Sequence, residues 1–208
     1  MINIQDQVAK TTKTLIFTEP FYGLFLIGIN KQYSERIPTA GVSKQGIGMQ
    51  LTINPQFYSE LSEDHRFGLI KHELLHIAFG HLLLRDLYSN HKLFNIAADL
   101  EINQYILESK LPEGGLLLSS FPELNLPEKA GTKKYYELLE QAQEDGSSPS
   151  LDSLMDTMDG NSQHCHSTWD EFDELPEADK KLMQKQIEHQ LKEAAETTEK
   201  RSGNIPGE

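Results

Sequence analysis

His72-Glu73-Leu74-Leu75-His76 is the stretch whose reading decides the fold. Two histidines four residues apart lie one turn apart on the same face of an α-helix. Their imidazoles can then share one divalent ion, and the glutamate between them reaches the same centre, where it can accept a proton from water. The pattern works only on a helix, and the flanking residues supply one. Ser62 with Glu63 and Asp64 behind it is a helix start, with acids near the positive end of the dipole. Ile70, Leu74, Ile77 and Ala78 give the helix a buried side. The spacing predicts a helix from about Glu63 to Leu87, a turn over Tyr88-Ser89-Asn90-His91, and a second helix from Lys92 to Ser109. The short turn makes the two helices antiparallel neighbours.

Working outward toward the N-terminus, Asn54-Pro55 is another helix start, and residues 46–53 alternate as a strand. Residues 33–44 read as loop or hairpin. The apolar run from Phe21 to Ile29 reads as a buried strand, and residues 3–18 as an opening helix that ends near Pro20. Toward the C-terminus, residues 111–115 and 122–127 are loop-like. Thr132 is placed to cap a short helix through Tyr135, Tyr136, Leu138 and Leu139. Residues 145–163 have linker composition. Pro176 opens a last helix with Met183, Ile187, Leu191 and Ala194 along one side. The tail from Ser202 is expected to be disordered. The fold class is α+β: a small sheet from residues 21–53 packed on the motif helix and its neighbour, with a helical C-terminal extension. Residues 1–125 form the metal-binding domain and residues 126–208 the extension.

The chain has 208 residues, a formal charge of -13 and one cysteine, Cys165. An acidic surface argues against nucleic acid and against anionic membranes as partners. The N-terminus lacks a basic start followed by an apolar run, and the longest apolar stretch is too short to span a bilayer. The lone cysteine excludes an internal disulfide and fits a reducing compartment, so a cytoplasmic location is expected.

A catalytic zinc takes three protein ligands, so two histidines need a partner. His81 lies five residues past His76, about 140° around a straight helix, and joins only if Gly80 breaks that helix. Otherwise it supports the ligands from behind or sits in the core. The second helix offers Asp99 and Glu101. Asn95, Asp99 and Asn103 fall at four-residue steps on one face, a polar stripe within an apolar segment that needs partners if buried. Asp99 is the favoured third ligand, with Glu101 and His81 as alternatives and Asn95 and Asn103 as supporting groups. Tyr105, His164 and His166 are candidates to steady the oxyanion. His164-Cys165-His166 with Asp170 also resembles a second metal site, but it falls in the polar stretch without helical spacing. Trp169 and Phe172 are expected to anchor the tail by burial. Cys165 has no visible activating base. Gly46-Ile47-Gly48 does not fit a phosphate loop.

The HELLH string followed by Gly80-His81, then Asn95-Ile96-Ala97-Ala98-Asp99 and Ile102-Asn103, resembles the putative metallopeptidase domain family. Weaker matches extend through Tyr135-Tyr136-Glu137-Leu138-Leu139, His166 with Trp169, and Gly203-Asn204-Ile205-Pro206-Gly207. The resemblance implies a zincin-like domain with His72, His76 and an acid such as Asp99 on zinc, and Glu73 as general base. Relatives often continue into a von Willebrand factor A-like domain. On this resemblance that partner-binding module is expected to be missing here, which puts in doubt any function that depends on it.

The expected chemistry is hydrolysis of peptide bonds in a protein or peptide substrate, with one Zn²⁺ favoured by two imidazoles and a carboxylate. Two alternatives stand beside it. One is a metal-containing binding module without catalytic activity, which meets a protein partner through its C-terminal helix. The other is a zinc amidase acting on a non-protein substrate.

Overall fold

A computed structural model describes residues 3–160 and 168–202. Helix α1 (Ile4–Thr18) is capped by Asn3, whose side chain accepts from the Gln5 N–H. The next segment differs from expectation. Residues Pro20–Ile27 form helix α2, not a strand, with Pro20 in its first turn. Eight residues are too few for periodicity to separate a buried helix from a buried strand. The proline before the apolar run is the cue that counts, because it is pre-organised for a first helical turn. α2 is apolar nearly all round because it lies among α1, α4 and α10, defined below.

Three strands follow: β1 (Asn30–Tyr33), β2 (Ala40–Gln45) and β3 (Gly48–Ile53). The order is β1-β3-β2, with β1 parallel to β3 and β2 antiparallel to it. β2 falls in the stretch that reads as loop or hairpin. Gly41, Ser43, Lys44 and Gln45 carry little strand propensity, and pairing with β3 overrides that. The sheet expected from residues 21–53 is therefore built from residues 30–53.

Helix α3 (Pro55–Glu60) starts at the Asn54 cap, and α4 (Glu63–Ala78) at Ser62, whose hydroxyl accepts from the His65 N–H. α4 stops nine residues short of Leu87. Gly80 takes a left-handed conformation with φ +72°, which a residue with a Cβ adopts only with strain. The chain turns there into the short helix α5 (His81–Leu84) and a 3₁₀ turn at Arg85–Leu87. α6 (His91–Ile102), capped by Asn90, is also shorter than predicted. Beyond it the chain tightens into 3₁₀ turns at Asn103–Tyr105 and Glu108–Lys110 and packs back on α4.

α7 (Thr132–Asp145) begins at Gly131, so Thr132 is the first helical residue and not the cap. The stretch with linker composition contains helix α8 (Pro149–Gly160), which buries Leu151. The short α9 (Asp170–Asp173) leads to α10 (Glu177–Ser202). α10 folds back on α2, reaching α4 and β3, and buries Met183, Ile187 and Ala194. Its apolar stripe thus faces the body of the protein. One hydrophobic cluster runs from Val8 to Ala194 and includes Trp169 and Phe172, as the anchoring expectation requires. Expectations for residues 161–167 and 203–208 lie outside the described residues. Among the described residues no helix is long and apolar enough to cross a membrane.

Candidate metal centre

The middle of α4 and the second half of α6 pack in the core, and their polar residues meet there. His72 and His76 point their Nε2 atoms at each other across 3.0 Å. Asp99 Oδ1 lies 3.2 Å from His76 Nε2 and 3.6 Å from His72 Nε2. A tetrahedral ion about 2.1 Å from each donor requires donors about 3.4 Å apart. The three observed separations lie within about 0.4 Å of that requirement. Two imidazole nitrogens and a carboxylate oxygen also form a donor set that suits a divalent ion of zinc type. Among the described residues, His72, His76 and Asp99 form a set of three metal-ligating side chains whose donor atoms lie within 4.8 Å of one another.

The outer nitrogens are also engaged. His72 Nδ1 lies 2.8 Å from Asn103 Oδ1, and the Asn103 amide donates to the Leu116 carbonyl at 2.8 Å. His76 Nδ1 lies 3.0 Å from His81 Nδ1. The other nitrogen of His81 lies 2.9 Å from the Thr132 hydroxyl oxygen. Thr132 donates both its backbone N–H and its hydroxyl to the Glu101 carboxylate. Burial alone raises the Glu101 carboxyl, but hydrogen bonds from His81 and Thr132 outweigh it and hold the group below the ordinary carboxylate range.

His81 therefore stands behind His76, outside the triad, and the Gly80 break is what brings it there. Glu101 is not part of the triad. Two residues beyond Asp99 it points about 200° around the helix, toward Thr132. Asn103, one turn beyond Asp99, lies against His72. Asn95, one turn before Asp99, is buried, and no described residue takes up its Oδ1. Tyr105 faces elsewhere: it lines a depression with Glu19 and Lys71, and its ring lies 5.5 Å from that of Phe79. The 3₁₀ turn after Ile102 carries it to that side of α4. His164, Cys165 and His166 lie outside the described residues.

Glu73 is 1% exposed and shares a cleft of about 120 Å³ with His72 and Asp99. Thr39, Phe57, Leu69 and residues 111–115 form the rest of the lining with Asn103. The 111–115 wall reaches this position because Gly68, one turn before His72, lets the Lys110 carbonyl come against α4. A Cβ at Gly68 would stand 1.9 Å from that oxygen. A larger groove of about 360 Å³ lies between α10 and the α4–α5 corner, and its lining includes none of the triad.

On another side the metal helix is covered by residues 168–173. Trp169 is fully buried with its ring edge-on to His76, 4.8 Å between centroids. The Thr168 hydroxyl donates to the Val42 carbonyl at 2.6 Å, and the Lys44 N–H donates to Glu171 at 2.5 Å. Thr39 pairs inward with Asn54, so even-numbered residues of β2 face its outer edge, and these two bonds sit on that edge. Arg85 binds Asp170 at 2.8 Å and Asp173 at 3.2 Å. Thr132, Thr39, Gly68 and the wall over residues 111–115 went unread as parts of the site. Their roles arise from tertiary contacts, and no local pattern marks them.

Fold and site together define a class: an α+β domain with two histidines and an aspartate that could hold a metal ion. The family comparison agrees. Residues 4–206 match the family described as Putative metallopeptidase domain, and the chain belongs to that family. No curated protein and no solved structure matches it.

Proposed function

We propose that this protein is a zinc-dependent peptidase in which Glu73 is the general base. One observation carries the reading: three donor atoms lie 3.0–3.6 Å apart, and two of their residues, His72 and Asp99, line a cleft with the buried Glu73. His72, His76 and Asp99 hold the ion. Among the described residues the set numbers three, the number of protein ligands used by catalytic zinc sites, whereas structural sites use four. When bound, the ion supplies Lewis acidity that polarises an amide carbonyl and makes water a stronger nucleophile. Glu73 accepts a proton from that water and delivers it to the departing amine. Its burial limits competing solvent and strengthens its interactions with the site. Phe57, Leu69, Leu111 and Pro112 give the cleft an apolar side that suits a small apolar side chain of the substrate. The outer edge of β2 is engaged at Val42 and Lys44, so the substrate approaches from the Thr39 side.

Glu73→Gln tests the assignment because it removes the base and spares the ligands. It is expected to bind zinc as wild type does and to lose peptide hydrolysis by roughly 10²–10⁴-fold. Undiminished turnover in that variant contradicts the proposal.

A further inference from the structure

We propose that His81, Thr132 and Glu101 form a positioning relay that locks His76 in the tautomer with its proton on Nδ1, so that the Nε2 lone pair is aimed at the metal position. The inference rests on the metal-centre reading above and extends it to three residues that bind no metal themselves.

The direction of the relay follows from counting protons. A carboxylate can only accept, so the Thr132 hydroxyl spends its single proton on Glu101. His81 Nε2 lies 2.9 Å from the Thr132 oxygen and 3.5 Å from Glu101 Oε2, so it faces acceptors and must carry a proton. A neutral imidazole carries one proton, so His81 Nδ1 is left as an acceptor. It faces His76 Nδ1 at 3.0 Å, and that nitrogen must donate. The single remaining lone pair of His76 is therefore on Nε2.

The same count on the other ligand gives the same answer. Asn103 donates from its amide nitrogen to the Leu116 carbonyl and presents its oxygen to His72 Nδ1. His72 then donates from Nδ1 and keeps its lone pair on Nε2. Both lone pairs converge beside Asp99 Oδ1. Three electron-rich atoms so close repel one another unless a cation lies between them. The hydrogen-bond chains thus set up the site electrostatically before an ion arrives. His81 is held for this task by the left-handed turn at Gly80, which sends residue 81 back toward α4.

The fit is also steric. His81 is buried, with its ring 5.8 Å from Phe79 and 6.1 Å from Phe94. A purely structural role therefore predicts that phenylalanine replaces it well and asparagine badly. The relay predicts the reverse, because the amide oxygen of an asparagine at this position can accept from His76 Nδ1 and a phenyl ring cannot.

Two measurements decide the matter. Long-range ¹⁵N–¹H NMR of the metal-free protein is expected to show His72 and His76 protonated on Nδ1 and His81 on Nε2. Zinc affinity by chelator competition is expected to fall about 10–100-fold in His81→Phe and to stay within several-fold of wild type in His81→Asn. Thr132→Val keeps volume but removes the hydroxyl, and is expected to give mixed tautomers at His76. It serves as the second variant should His81→Phe fail to fold. The proposal is overturned if His76 carries its proton on Nε2 with a doubly protonated His81 donating to it. It is equally overturned if folded His81→Phe binds zinc like wild type, if His81→Asn binds as weakly as His81→Phe, or if Thr132→Val leaves the His76 tautomer unchanged. A wild-type protein that takes up no zinc would sink the metal centre, and the NMR tautomers would still decide the relay.

Discussion

Gly68→Ala probes how the cleft wall is built. A Cβ at this position would lie 1.9 Å from the Lys110 carbonyl oxygen, 2.6 Å from its carbon and 3.3 Å from the Leu111 nitrogen. These are backbone atoms, so no rotamer change relieves the clash. Restoring ordinary contact requires the 108–111 turn to move by more than about 1 Å, since non-bonded heavy atoms settle near 3.5 Å. Overpacking of this kind costs about 1–3 kcal/mol, and more where backbone must shift. For a chain of this size the melting temperature is expected to drop by roughly 2–12 °C. The moved turn carries residues 111–115, which line the cleft beside Glu73. A displacement near 1 Å is expected to lower kcat/KM by up to about 100-fold. Zinc affinity is expected to change little, because the ligands sit on α4 and α6. Thermal denaturation, chelator competition and peptide hydrolysis on one preparation separate these effects. A variant as stable as wild type would refute the close approach between Gly68 and Lys110.

Other consequences can be checked with simple assays. Trp169 is the single tryptophan and meets His76 edge-on. Zinc addition is expected to change its fluorescence in wild type and not in His76→Ala; an unresponsive wild type would contradict the contact. Arg85→Met removes both ion pairs to the α9 segment. It is expected to cost roughly 1–3 kcal/mol, discounted because Asp170 stays solvated, and to shift Trp169 emission to the red. Glu123 is held below the ordinary carboxylate range mainly by the Ser148 hydroxyl at the start of α8. Its contribution to stability is therefore present above the ordinary carboxylate range and is lost as pH falls through the lowered folded value. Glu123→Gln is expected to flatten that acid limb of the stability curve, and an unchanged limb would show that the bond is not formed in solution.

The parts of the protein legible in its sequence are those fixed by local rules. A four-residue spacing set the two histidines on one face, and the same spacing from Asp99 to Asn103 set two polar groups that meet them. Asn54 and Ser62 announced helix starts because their side chains satisfy exposed N–H groups. The illegible parts depend on partners distant in the chain. Phe21 to Ile27 packs against three other helices, and a short apolar run carries no period to show that; Pro20 before it is the one local cue. β2 contains polar residues that only pairing with β3 holds extended. Gly80 was visible as a possible break, but a glycine alone does not state that a helix ends. Once it does, His81 moves from the far side of a straight helix to hydrogen-bonding distance of His76. Glu101 and Thr132 looked like a ligand and a cap; tertiary packing joined them to each other.

Metal content of the purified protein is the most direct test of the central claim. Wild type, His72→Ala and Asp99→Ala are to be loaded with zinc, desalted and measured for metal per chain. The account predicts one tightly held ion in wild type and loss of tight binding in both variants. Retention of the ion by Asp99→Ala, or a folded wild type that holds none, would contradict it.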